Sequence, residues 1–186
     1  DLVWSYSGVR PLMDDEHAEA RKASRDYTLE LNAPPKEAPL LSVFGGKITT
    51  YRKLAEAATN AICRFFPAAS GPWTRTAVLP GGDFSSQQGL STELQSQYPW
   101  LPDGLRQRFV RSYGTLCHRF LKDCKQLEDM GEAFGGHLYQ KEVDYLRKHE
   151  WATTADDILW RRTKLGLELQ KEQRERLQYY LQAPDT

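Results

Sequence analysis

Hydrophobic positions change their period along this chain, and the change divides it. In DYTLEL (26–31) Tyr27, Leu29 and Leu31 alternate with polar residues, which predicts a strand with one covered face. PLLSVFGG (39–46) is a continuous apolar run, the pattern of a strand buried on both faces. LVWSYS (2–7) reads as a third short strand. A charged loop, MDDEHAEARKASR, separates LVWSYS from DYTLEL, and the proline-marked turn NAPPKEAP separates DYTLEL from PLLSVFGG. From about Thr49 to Phe66 the period becomes helical, with Leu54, Ala55, Ala58, Ile62, Phe65 and Phe66 in step. PAASGPW and LPGGDF then bracket a Pro- and Gly-rich linker over roughly 67–83.

Beyond Phe84 only helical spacing is visible. Residues 104–113 and 115–128 carry Leu105, Phe109, Tyr113, Leu116, Phe120 and Leu127 at that period, and 138–150 carries Leu138, Val143, Tyr145 and Leu146. TADDILWRRTKLG has Thr154 as N-cap, two aspartates in the first turn, basic residues late and Gly166 as the stop. A last amphipathic helix covers about 170–182, while 84–104 gives no clear signal. The expected fold is therefore α+β, with strands and one helix over 1–83 and an all-α domain over 84–186. Three strands and one helix do not cover both faces of PLLSVF, and so small a sheet is marginal alone. The first part is thus expected to be incomplete. With an opening DLVWSYSG that lacks an initiator Met, the chain reads as an excised fragment.

Composition narrows the function classes. The 25 basic and 25 acidic side chains cancel, which disfavours a nucleic-acid or membrane role driven by net charge. An apolar share of 40% with five Trp and nine Tyr supports a packed core. Cys63, Cys117 and Cys124 are odd in number and lack a CxxC, so they read as free thiols. No apolar run approaches the ~20 residues of a membrane span.

The chemistry concentrates in LSVFGGKITTYR (41–52). A strand, two glycines and a helix start make a place where backbone N–H groups and the helix dipole face outward. Lys47 adds positive charge there, and Thr49 and Thr50 are suited to cap the helix or donate to a ligand. It is not a P-loop, because Leu41 and Ile48 stand where that motif needs Gly and Ser or Thr, and GxGxxG is absent from the chain. Spacing alone leaves two readings open, an anion or dipole site and a plain tight turn. Arg10, in YSGVRPL, and Arg25, before DYTLEL, offer guanidinium forks for phosphate or carboxylate, beside the simpler reading as solvated surface arginines.

VWSYSGVRPL, SRDYTLEL and PLLSVFGGKITTYRKLAE, followed by HEWATTADDILWRRTKLGL, resemble the FAD-dependent glycerol-3-phosphate dehydrogenases, the aerobic, quinone-linked family. The resemblance runs in order from Leu2 to about Leu167. It implies that 1–83 is an incomplete C-terminal part of an FAD- and substrate-binding oxidoreductase domain. It implies that Arg10 and Arg25 hold the phosphate of glycerol 3-phosphate. Gly45, Gly46, Lys47, Ile48 and Thr49 would lie against FAD, their helix start favouring the negative charge of the reduced flavin. Hydride would pass from C2 of the substrate to the flavin, giving dihydroxyacetone phosphate, with electrons leaving to the quinone pool. The family's Gly-rich FAD-binding unit and its proton acceptor are not in this sequence, so the chain alone is expected neither to hold FAD tightly nor to turn over. The implied setting is cytoplasmic, peripherally associated with the inner face of the membrane, with a homodimer as a further partner state. Another small polyol phosphate remains open as substrate.

The helical half carries no such site of its own. His118, His137 and His149 have no metal-ligand spacing, and Cys117 and Cys124 read as buried thiols on one core face. Leu159, Trp160 and Leu165 are expected in the core, with Trp151 just before their helix. Arg161 and Arg162 suit a helix C-terminus, or else contact another domain or subunit. The competing function for this half is a non-catalytic helical module for dimerisation or membrane association.

Overall fold

The computed structural model describes Leu2, residues 4–9 and residues 26–182. The described chain forms two compact units, one ending at Ala77 and the other beginning at Val78. About half of it is helical, with two small antiparallel sheets.

In the first unit β1 (Tyr27–Asn32) pairs antiparallel with β2 (Leu40–Gly45), Tyr27 opposite Gly45 and Asn32 opposite Leu40. Opposed residues share a face, so Tyr27, Leu29, Leu31 and Leu41 lie together and are half-buried. α1 (Tyr51–Cys63) packs on both strands. β2 departs from the expectation of burial on both faces: Leu40, Val43 and Phe44 are exposed. One partner strand and one helix do not supply two covered faces, and no described residue before Val78 is fully buried. α1 also stops short of Phe66. Phe65 and Phe66 donate to the carbonyls of Ile62 and Cys63, three residues back, because Pro67 bars a helical conformation just before it. Residues 4–7 form no strand; Trp4 and Tyr6 stack with ring centroids 5.5 Å apart.

The second unit holds the core. α2 (Gln87–Gln97), in the stretch that gave no sequence signal, starts at Ser86, whose hydroxyl accepts the N–H of Gly89 at 3.0 Å, and it buries Leu90 and Leu94. α3 (Asp103–Tyr113) buries Leu105, Phe109 and Val110. The expected helix over 115–128 is broken into a 3-10 turn at Gly114–Cys117, the short α4 (His118–Leu121) and a second 3-10 turn at Leu127–Met130. The second turn starts anew because the Asp129 carboxylate takes the N–H groups of Lys125 and Gln126. A second correction concerns 138–150, since Leu138–Tyr139 is a strand, β4, paired with β3 (Ala133–Gly135). Gly135, Gly136 and His137 all have positive φ, which turns the chain into a hairpin, and α5 begins only at Gln140 and ends at His149. The expected linker ends differently as well: Gly81 accepts from the Thr115 N–H at 3.1 Å, which fixes LPGGDF to the end of α3.

Thr154 caps the next helix as its sequence implies. Its hydroxyl accepts the N–H of Asp157, whose carboxylate in return takes the N–H and hydroxyl of both Thr153 and Thr154. The helix then widens to a π-turn over Asp157–Arg162, closed by the Thr163 N–H on the Ile158 carbonyl. Gly166 is not its stop; Lys164, in the left-handed region, ends it. Gly166 is small for another reason, because a Cβ there would lie 2.6 Å from the Trp160 ring. Leu159, Trp160 and Leu165 are buried as expected. α6 (Lys171–Gln182) closes the unit with Leu177 inward and Tyr180 bonded to Asp144 at 2.7 Å.

At the centre, Arg108 of α3 makes a two-pronged pair with the fully buried Glu142 of α5, both bonds 2.6 Å. The Tyr113 hydroxyl donates to the same carboxylate, and Arg108 also donates to the His137 carbonyl at 2.8 Å. Burial opposes the Arg108 charge, but the bonds and charge of Glu142 outweigh it and hold the guanidinium above its ordinary value. Burial and then the Glu142 charge push the Tyr113 hydroxyl well up, so it stays a donor.

Glu142→Ala is expected to destabilise the second unit by about 3–5 kcal/mol, because it strands a largely buried guanidinium. Arg108→Met with Glu142→Leu should come far closer to the original. Urea midpoints of the two variants against the unaltered chain decide this. Burial works against the Asp157 charge, yet the four Thr153 and Thr154 donors outweigh it and hold its carboxyl well below the ordinary 3.8. A depressed folded value means the contribution is complete above the unfolded carboxyl's range and is lost as pH falls below it. The Tm gap between the unaltered chain and Asp157→Asn should therefore be widest above about pH 5 and shrink toward pH 2.

Candidate functional site

The expected site residues that the structure describes, Gly45 to Thr49, meet in the turn after β2. Gly45 and Gly46 have φ of +75° and +108°, conformations that side chains resist. The Gly46 N–H donates to the Asp26 carbonyl at 3.2 Å, which closes the hairpin end. A Cβ on Gly46 would sit 3.1 Å from Leu54 of α1, so the residue is small on one side because the helix lies there. Lys47 is extended and exposed, and Ile48 is 88% exposed. Ile48 begins a 3-10 turn, Ile48–Thr50, that leads into α1.

Neither threonine caps this helix start. Lys47 occupies the cap position, and its carbonyl takes both the N–H and the hydroxyl of Thr50, at 3.0 and 3.1 Å. The N–H groups of Ile48 and Thr49 are bonded to no described residue. Gly45, Gly46, Lys47, Ile48 and Thr49 thus bring together two N–H groups without a described partner, an exposed ammonium and a positive-φ glycine backbone. Such an arrangement stabilises negative charge beside it. Arg10 and Arg25 lie outside the described residues.

In the second unit the histidines, cysteines and arginines singled out from the sequence form no such group among the described residues. Among the described residues no cluster of three His, Cys, Asp or Glu is placed to hold a metal. Cys117 and Cys124 are buried, and burial raises the Cys117 thiol to about 12, so it is inert as a nucleophile. Arg161 pairs with Asp157 at 2.9 Å, and Arg162 donates twice to the Glu150 carbonyl, at 3.0 and 2.7 Å. Both arginines thus have partners within their own unit.

The architecture defines a class first: a glycine–lysine turn on an open hairpin-and-helix unit, followed in sequence by a helical domain with its own core. Residues 72–182 match the family described as the C-terminal domain of alpha-glycerophosphate oxidase, and the chain belongs to that family. Over 184 residues, that segment included, it is 52% identical to a glycerol-3-phosphate dehydrogenase of Pseudomonas aeruginosa, covering 98% of the chain and 36% of the relative. It is 43% identical over 182 residues to the aerobic glycerol-3-phosphate dehydrogenase of Escherichia coli, covering 97% and 36%. A D-erythritol 1-phosphate dehydrogenase of Brucella abortus is 42% identical over 176 residues, covering 94% and 35%. The chain therefore spans about a third of the length of these relatives.

Gly46→Ala is expected to loosen the hairpin end by about 1–3 kcal/mol, the range for a side chain forced into such backbone. Gly71→Ala, at a position with open space around it, should change little. Hydrogen exchange at the β1 and β2 amides reads both, and equal protection in the two variants would mean the Gly46 conformation carries no strain.

Proposed function

We propose that this chain is part of an FAD-dependent glycerol-3-phosphate dehydrogenase, contributing the end of the catalytic domain and the helical domain after it. The observation that carries the reading is the reach of the similarity. It extends over 184 residues, so it takes in the glycine–lysine turn as well as the helical domain. The turn's residues fit part of a flavin site: the glycines hold a positive-φ backbone that side chains resist, and the N–H groups of Ile48 and Thr49 are bonded to no described residue. FAD, when bound, supplies the hydride acceptor for oxidation of sn-glycerol 3-phosphate to dihydroxyacetone phosphate, the electrons passing on to quinone.

Within that reaction the chain's own residues bind and polarise. Arg10 and Arg25 hold the phosphate end of the substrate through charge-assisted bonds, which fixes the orientation of its C2. Lys47 and the first N–H groups of the 3-10 turn favour negative charge beside them, as a helix start does. The exposed apolar positions Leu40, Val43 and Phe44 are suited to packing against the rest of the oxidoreductase domain. No described helix is long and apolar enough to cross a membrane, and the proposed attachment is peripheral, at the inner face of the cytoplasmic membrane.

The test uses the intact parent polypeptide with its flavin. Anaerobic addition of glycerol 3-phosphate should bleach the visible flavin band, and Arg10→Ala should need about 30-fold more substrate or worse, as loss of a charged hydrogen bond implies. Flavin indifferent to glycerol 3-phosphate but bleached by D-erythritol 1-phosphate would move the substrate assignment. Indifference to both would sink the reading.

A further inference from the structure

A hollow of about 560 Å³ opens between α4 and α5, lined by Arg119, Lys122, Lys141, Lys148 and His149 over Phe120 and Tyr145. We propose that it binds a small multivalent phosphate anion. Four cations converge here in a chain whose charges sum to zero. None of the four is in an ion pair with a described carboxylate. Asp144, the one acid in the lining, is already engaged by the Tyr180 hydroxyl at 2.7 Å, and the neighbouring Glu150 accepts from Tyr145 at 3.2 Å.

The helix dipole accounts for only part of this set. Lys148 and His149 stand in the last turn of α5, where cations are favoured. Lys141 is in the first turn, where a cation opposes the dipole, and it is half-buried there. A half-buried, unpaired ammonium at the unfavourable end of a helix gains from an anion beside it. One arginine fork and three ammonium groups around a concave floor suit phosphate oxygens, and the size is that of a small-molecule site. The same chemistry is offered by a free polyphosphate and by a phospholipid headgroup.

The full chain would be titrated calorimetrically with tripolyphosphate and, separately, with vesicles of phosphatidylcholine with and without phosphatidylglycerol. Lys122→Gln with Lys148→Gln, both exposed, is compared with Lys36→Gln with Lys53→Gln. Saturable tripolyphosphate binding, weakened about tenfold in the first pair and unchanged in the second, supports the site with a soluble ligand. Binding only to the phosphatidylglycerol vesicles, with the same dependence, supports the same site with a headgroup as its source. Binding in neither arm, or binding that both variants retain, overturns the proposal. Anion binding at the glycine–lysine turn would survive Lys122→Gln with Lys148→Gln, so the two sites are told apart.

Discussion

The helical unit is organised around a charge that cannot be left alone. Arg108 and Glu142 sit 34 residues apart in sequence and meet with two bonds in the interior. Removing two ions from water is unfavourable, and their attraction offsets this only when every lone pair and proton is met. The surroundings supply most of that: Tyr113 donates to the carboxylate, and the His137 carbonyl accepts from the guanidinium. The latter contact draws in the β3–β4 hairpin, whose positive-φ turn presents that carbonyl. One pair thus sets the register of α3 against α5 and fixes the hairpin between α4 and α5. The aromatic rings of Phe109, Tyr113, Phe120 and Tyr145 close around it, each meeting the next at centroid distances between 5.0 and 6.0 Å.

The hairpin-and-helix unit follows a different logic. Its best-defined feature is a turn whose geometry is specified by two positive-φ glycines and by the Leu54 side chain, not by a closed core. Specification without burial suits a surface meant for contact, since the groups left open are an ammonium, two backbone donors and apolar strand residues. The helical unit shows the opposite balance, with most of its large apolar side chains inside.

What the sequence made legible follows from how local each signal is. Alternation in DYTLEL and the start signal at Thr154 are read within a few residues, and both elements stand where those signals put them. The region 115–128 looked like one helix because Leu116, Phe120 and Leu127 keep the period. The break comes from the Asp129 carboxylate, which competes for backbone N–H groups upstream of it. FGGHL hid a hairpin because its strands are three and two residues long, too short for alternation to register. Gly166 was legible as a glycine but not for its reason, which lies in the Trp160 ring folded back against it. α2 lacked a signal because its Gln- and Ser-rich surface masks the spacing of Leu90 and Leu94. In the candidate site the glycines and Lys47 were legible from composition and order. That Lys47, not a threonine, takes the cap position depends on the path of the chain through Gly46.

Among the described residues both strands of the first sheet are edge strands, since that sheet has two. Each therefore carries one unmatched row of backbone donors and acceptors, and Leu40 and Phe44 stand exposed on the same ribbon. Such an edge is a template. Whatever strand lies beside it extends the sheet, whether that strand is its rightful neighbour or the same segment of a second molecule. The order of events after synthesis then matters as much as the sequence: the neighbour that arrives first determines whether the ribbon becomes part of a larger sheet or the start of an aggregate.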